Sequence, residues 1–233
     1  AQQILNKLSS KAGDIDRQKR KDLIHQTKSA WLQKLSSLDH EDDDPGTVWN
    51  KEARERDKDR MSPRQAWRAI QAGIPKDAII SSDIGNNCAI GNAYPTFDKG
   101  RKYLAPGLFG PCGYGFPAIL GAKIGCPKVP VIGFAGDGAF GISMNEMSSC
   151  ARKEWPAISM VIFRNYQWGA EKRNSILWFD DNFVGTELDP ELSYAKVADA
   201  CGLKGVTVKT MEDTTKAIAQ SCEDQKKGIT TFI

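Results

Sequence analysis

Histidine is almost missing from this sequence: among 233 residues only His25 and His40 carry an imidazole. The six cysteines, at 88, 112, 126, 150, 201 and 222, include no C-x-x-C pair, so a Cys/His zinc site is not expected. Cys150, Cys201 and Cys222 sit among apolar neighbours, as reduced core thiols do. That points to a cytoplasmic protein rather than a disulfide-bonded secreted one. Charge of one sign is also lacking. The formal net charge is +3, too small to argue for nucleic acid, and the basic stretch "DRQKRKD" is flanked by acids, as on a solvated helix face. No window of about 18 apolar residues exists, so no membrane span is expected. The start, "AQQILNKLSSKAGD", has neither an initiator Met nor the layout of a signal peptide. The end, "KKGITTFI", stops within a strand-like run. The chain is therefore expected to be part of a longer one.

What is there divides into three textures. Residues 1–38 carry spaced apolar side chains. Of these, Leu23, Ile24, Trp31, Leu35 and Leu38 recur at helical intervals, which predicts an amphipathic helix. Residues 39–60 are almost all charged and read as a linker or an exposed connecting helix. Residues 61–233 alternate short apolar runs with helical patterns. Strands are predicted over 78–84, 129–136, 157–165, 206–209 and 229–233. Helices are predicted over 62–74, 114–125, 143–155, 193–202 and 212–227. Ser62 is placed as an N-cap with Pro63 in the first turn. Continuous apolar strands between helices predict an α/β fold: a doubly wound parallel sheet flanked by helices, with a helical and charged N-terminal extension.

Ligands in such sheets bind beyond the carboxyl ends of the strands. Three strand ends here run into unusual loops: "DIGNNC", "GDGAFG" and "RNYQWGAEKRN". Asp137 stands among glycines after one strand and Asn165 follows the next, with 26 residues between Gly138 and Asn165, enough for one helix and one strand. The two loops are therefore expected side by side. A carboxylate and an amide carbonyl are hard oxygen donors suited to Mg²⁺ or Ca²⁺, and the glycines beside Asp137 would let backbone N–H groups approach an anion. Taken alone, each loop also reads as an ordinary turn whose Asp caps a helix. "GYGFPA" is close to a dinucleotide fingerprint, but it follows a Pro/Gly-rich loop rather than a strand, which argues against NAD.

Gly136-Asp137-Gly138 with Asn165 resembles the diphosphate-binding motif of thiamine-diphosphate-dependent enzymes, which runs from Gly-Asp-Gly to Asn-Asn. "LAPGLFGPCGYGFPAILGAK" and "GFAGDGAFGISMNEM" resemble the C-terminal cofactor domain of the acetolactate synthase superfamily. The resemblance spans residues 61–233. Within it, "SSDIGNNCAIGNAYP", "APGLFGPCGYG" and "FRNYQWGAEKRNS" resemble the branch acting on sulfoacetaldehyde and phosphate.

The resemblance implies thiamine diphosphate and Mg²⁺ as cofactors. It implies metal ligands at Asp137, Asn165 and the Gln167 carbonyl. Cofactor contacts are implied at Gly85, Asn86, Asn87, Gly110, Cys112, Gly113, Gly136, Asp137, Gly138, Ala139, Asn165 and Gly169. Two positions depart from the pattern. Arg164 replaces the motif's first Asn, and Cys112 stands where relatives often have a bulky apolar residue. Lys172 and Arg173 are either anion-pairing groups for the substrate or merely solvated. No catalytic residue is assigned, because the activating glutamate is expected on a pyrimidine-binding domain of the same protein or a partner subunit, implying a homodimer or homotetramer. The chemistry implied is acyl transfer from sulfoacetaldehyde to phosphate. An acetolactate synthase-like carboligase, a decarboxylase with the same cofactor, and a non-catalytic assembly module are the alternatives.

Overall fold

The computed structural model describes residues 3, 17–41, 60–97, 100 and 102–233. The chain separates into two compact units, Ala1–Arg54 and Glu55–Ile233. In the first, helix α1 spans Arg17–Glu41. Of the expected apolar positions on this helix, Leu23, Ile24 and Trp31 are largely open to solvent, while Leu35 is buried. Most of the charged linker, residues 42–59, lies outside the described residues.

The second unit is built on six parallel strands: β1 (Ile79–Ser82), β2 (Tyr103–Leu104), β3 (Val131–Gly136), β4 (Ser159–Phe163), β5 (Lys204–Gly205) and β6 (Thr231–Phe232), in the order β2-β1-β3-β4-β6-β5. Around them lie α2 (Pro63–Gly73), α3 (Asn86–Gly91), α4 (Gly115–Gly125), α5 (Asp137–Ser143), α6 (Met147–Cys150), α7 (Gly169–Trp178), α8 (Tyr194–Ala200) and α9 (Met211–Lys226). The start of α2 follows its chemistry. Ser62 accepts from Gln65 N–H while the Gln65 side chain accepts from Ser62 N–H, a reciprocal cap with Pro63 in the first turn.

Both faces of the sheet are covered, so β3 is apolar throughout. Val131 and Ala135 pack with Phe116, Ile119, Phe140 and Tyr194 in one core. Phe134 points the other way, its ring 4.8 Å from that of Trp67 on α2. On that second face α2 meets α9 so closely that a Cβ on Gly73 would lie 2.7 Å from the Thr215 carbonyl oxygen. The chain steps from β1 outward to β2, then returns to β3 on the other side of β1. Beyond the carboxyl ends of β1 and β3 lies the switch-point crevice of a doubly wound sheet.

Two expected elements are placed differently. Helix 143–155 is replaced by α5, which begins at Asp137, a 3₁₀ turn at Met144–Glu146, and the short α6. The strand expected at 206–209 sits two residues earlier, at Lys204–Gly205. Gly205 lies against the Ala195 carbonyl, where a side chain would not fit; Lys204 pairs with Thr231 and Gly205 with Phe232, and Val206 N–H donates to the Phe232 carbonyl.

Candidate functional site

β3 delivers Asp137 directly from its last residue, Gly136, into the first turn of α5. Its side chain is buried. Oδ2 accepts from Tyr166 N–H at 2.7 Å and Oδ1 from Gly138 N–H at 3.1 Å. Burial pushes the carboxyl pKa up, and those N–H groups pull it partly back. The Tyr194 hydroxyl donates to the Asp137 backbone carbonyl at 3.1 Å, fixing the turn from α8.

β4 delivers Asn165 to the same place. One end of its side-chain amide lies 3.0 Å from Asp137 Oδ1 and 2.9 Å from the Gln167 carbonyl oxygen. With nitrogen at that end, both contacts are hydrogen bonds. With oxygen there, each is a pair of oxygens about 3 Å apart with no proton between them. That separation matches neighbouring ligands of an octahedral Mg²⁺, whose bonds of about 2.0–2.1 Å subtend about 2.9 Å at a right angle. Asp137 Oδ1 and the Gln167 carbonyl oxygen thus both face one end of the Asn165 amide, and a hard-oxygen set would result with the amide oxygen at that end.

The loop after β1 closes the other side. Gly85 holds φ +113°, a conformation few side chains adopt. Asn87 Nδ2 is buried without a hydrogen-bond partner. Its Oδ1 lies 3.7 Å from where a Cβ on Gly136 would be. A Cβ on Gly169 would lie 2.8 Å from the other end of the Asn165 amide and 3.1 Å from Asn86 Nδ2. Gly85, Asn86, Asn87, Gly136, Asp137, Asn165, Gln167 and Gly169, separated by up to 84 positions, therefore converge on one crevice. Gly138 is covered by the Trp168 indole, and Ala139 is buried behind it.

A second loop flanks this cluster. Gly110 and Gly113 hold φ +58° and +85°. Cys112 between them is exposed, and its thiol pKa is pushed up by burial, Asp83 and Glu171. Asp83 holds this loop. It is fully buried, with Oδ1 accepting from Ile84 and Gly113 N–H at 2.9 and 3.0 Å and Oδ2 from Gly115 N–H at 2.7 Å. Asp83 and Tyr194 are absent from the sequence-based site. Asp83 had a readable signal as an acid ending a buried strand; Tyr194 had none, since only the fold brings α8 to Asp137. Lys172 forms an ion pair with Glu187 at 2.5 Å and faces the Phe183 ring. Its ammonium is therefore engaged within the chain, and Arg173 follows it on α7.

A diphosphate bridged by a divalent cation suits these residues. The oxygens at 137, 165 and 167 could hold the cation. The orphan Asn87 amide and the side-chain-free backbone at Gly85 and Gly136 could face the phosphates.

Comparison with known proteins bears on the same residues. The family model described as "Thiamine pyrophosphate enzyme, C-terminal TPP binding domain" matches residues 83–233. A probable sulfoacetaldehyde acetyltransferase of Rhizobium meliloti (strain 1021) is 75% identical over 233 residues, all of this chain and 39% of that protein. A sulfoacetaldehyde acetyltransferase of Roseovarius nubinhibens is 69% identical, with the same coverage. Among solved structures, the thiamine diphosphate-dependent 4-hydroxybenzoylformate decarboxylase of Rhodococcus jostii RHA1 superposes with a TM-score of 0.67 at 26% identity, over 75% of this chain and 32% of that one. The chain thus spans about two fifths of the length of these curated relatives. No helix among the described residues is long and apolar enough to cross a membrane. With the switch-point crevice, its converging oxygens and a family match running through all of them, the chain belongs to the thiamine pyrophosphate enzymes and carries their C-terminal TPP binding domain.

Proposed function

We propose that this chain supplies the diphosphate- and Mg²⁺-binding half of an acyltransferase that converts sulfoacetaldehyde and phosphate to acetyl phosphate and sulfite. The reading is carried by one observation: the Asn165 amide lies about 3 Å from both Asp137 Oδ1 and the Gln167 carbonyl. The 75% and 69% identities to proteins named for sulfoacetaldehyde acetyl transfer support the substrate.

When bound, thiamine diphosphate supplies the nucleophilic carbon at which the aldehyde sheds sulfite and from which phosphate takes the acetyl group. This chain's own groups bind and orient. Asp137, Asn165 and the Gln167 carbonyl hold the cation. Asn87 and the Gly85–Asn86 backbone take phosphate oxygens, Gly136, Gly138, Ala139 and Gly169 leave room for them, and the Gly110–Gly113 loop, fixed by Asp83, borders the rings. The activating carboxylate comes from a pyrimidine-binding domain. Leu108 and Phe109, each 95% exposed on the loop leading to Gly110, support a second domain or subunit covering that edge. Residues 1–38 are then the end of a preceding central domain and 39–60 the connector.

Calorimetry with thiamine diphosphate and Mg²⁺ tests the binding half. The unmodified chain gives metal-dependent heat, and Asp137→Ala loses it. No heat from either would leave an inert assembly module. For the full-length protein, acetyl phosphate and sulfite are the products from sulfoacetaldehyde and phosphate. Turnover of pyruvate instead would move the reading to an acetolactate synthase or decarboxylase.

A further inference from the structure

We propose that Arg164, with Arg60, is a positioning residue for the oxygen set at Asp137, Asn165 and Gln167, acting through Tyr166. The inference rests on the cation reading above and concerns how that set is held. Tyr166 sits between the two ligand residues with φ +61°, the left-handed region that an aromatic side chain seldom occupies. Its backbone is committed in both directions. The N–H donates to Asp137 Oδ2 at 2.7 Å, and the carbonyl accepts from Leu188 N–H at 2.9 Å. Trp168 N–H donates to the Thr186 carbonyl at 2.8 Å, and Gln167 bridges Glu187 antiparallel. Residues 166–168 are thus laced to 186–188 as a short ribbon.

The ring of Tyr166 is what the arginines grip. The Arg60 guanidinium lies 4.4 Å from the ring centroid and that of Arg164 lies 4.5 Å from it. Arg164 Nη2 also donates to the Pro190 carbonyl at 2.7 Å. One side chain therefore ties the ring to the segment just beyond the ribbon. Asparagine, which the motif has at this position, is too short to span that distance. Holding the ring fixes the backbone at 166, which aims its N–H at Asp137 and turns the Gln167 carbonyl toward Asn165. A planar guanidinium can stack and bond at once; a lysine ammonium cannot.

Amide hydrogen exchange on the unmodified chain, Arg164→Met and Arg164→Lys reads the clamp without any ligand. Exchange at the Tyr166 N–H is expected to rise about tenfold in both variants, with β3 and β4 amides unchanged. Calorimetry with Mg²⁺ and thiamine diphosphate is expected to show affinity falling about tenfold in both, as for other residues that orient metal ligands. Glycine at 166 takes the left-handed conformation without strain, so Arg164→Met should cost less than about twofold in a Tyr166→Gly background. Unchanged Tyr166 exchange, a lysine variant that behaves as the unmodified chain, or additive losses would overturn the proposal. So would protection lost evenly across β3 and β4, which would mark a general stability role. If the unmodified chain takes up no Mg²⁺, the cation reading falls, and the Tyr166 exchange alone decides the clamp.

Discussion

The two ends of the sheet bury charges of opposite sign. Beyond the carboxyl ends of β1 and β3, Asp83 and Asp137 lie buried on backbone N–H donors. At the amino ends of β3 and β4, Lys123 of α4 is buried and donates to the Val129 carbonyl at 2.8 Å and Gln225 Oε1 at 3.0 Å. Gln225, from α9 on the other face, also accepts from Val131 N–H at 3.1 Å and donates to the Val131 carbonyl at 2.9 Å and Ser159 Oγ at 2.7 Å. At the amino end Lys123, Gln225 and Ser159 bond one another and the strand-end backbone, tying two helical layers around the strand ends. The carboxyl end leaves an orphan amide at Asn87 and turns Asp137 Oδ1 and the Gln167 carbonyl oxygen toward one end of the Asn165 amide. A buried charge marks a ligand site when its surroundings are left incomplete, not because it is buried.

Breaking the amino end should cost the most stability. Gln225→Leu removes four hydrogen bonds and leaves Lys123 with a single acceptor, so a loss of about 3–4 kcal/mol is expected from urea unfolding with an unchanged m-value. Cofactor binding by the surviving folded fraction should be intact. A smaller loss than for any site substitution would mean that the amino end is not the structural one.

Asp83→Asn comes next. Oδ1 can keep Ile84 and Gly113 N–H, but the amide nitrogen would then face Gly115 N–H, donor against donor. A loss of about 2–3 kcal/mol is expected. Unlike Gln225→Leu, it should weaken thiamine diphosphate binding as well, because the Gly110–Gly113 loop is released. Calorimetry on both variants at one temperature separates stability from binding.

Asp137→Asn should cost less stability and more binding. Its raised pKa means that the folded chain keeps the proton longer than the unfolded one, so stability falls as pH rises from 3.8 through the folded value. Asparagine removes that burden, but both carboxylate oxygens accept backbone N–H groups, so its nitrogen would face Tyr166 or Gly138 N–H, donor against donor. In chelator the two effects oppose each other, and thermal unfolding should show a loss of about 1 kcal/mol, smaller than for Asp83→Asn. With Mg²⁺ and cofactor at about 100 times the dissociation constant, the unmodified chain should gain about 2.7 kcal/mol and the variant nothing.

How much of this was legible depended on how local the cause was. β1, β3 and β4 read correctly because strands buried on both faces are continuous apolar runs, and Asp137 and Asn165 read as a pair because glycine and strand ends frame them. α3 and α7 did not read as helices, since "NNCAIG" and "GAEKRNSILW" lack an apolar period. Tyr166 carries no such local signal. Its left-handed backbone and its two arginines are through-space facts, and Arg60 stands 106 positions away. Gln225 likewise read as a polar residue on a helix, 94 positions from the strand end it closes.

The smallest effect belongs to Lys123 and sharpens the contrast through pH. Burial lowers its pKa from 10.5. The folded state therefore releases this proton at lower pH than the unfolded chain. Below the folded value the ammonium is charged in both states and its burial cost is felt in full. As pH rises toward 10.5 the unfolded chain holds more protons, so stability rises. Cys222 and Tyr103 work against this, because burial raises them to about 11 and about 12, and the folded state holds their protons longer. The Lys123 contribution is therefore a difference between two chains rather than the slope of one. Lys123→Met keeps the length of the side chain and removes the charge. It should change stability by less than about 1 kcal/mol at neutral pH. The urea midpoint of the unmodified chain minus that of the variant should rise from pH 7 to pH 10. Parallel midpoints across that range would mean that Lys123 is not held against its charge, and the amino end would lose its claim to be a closed polar network.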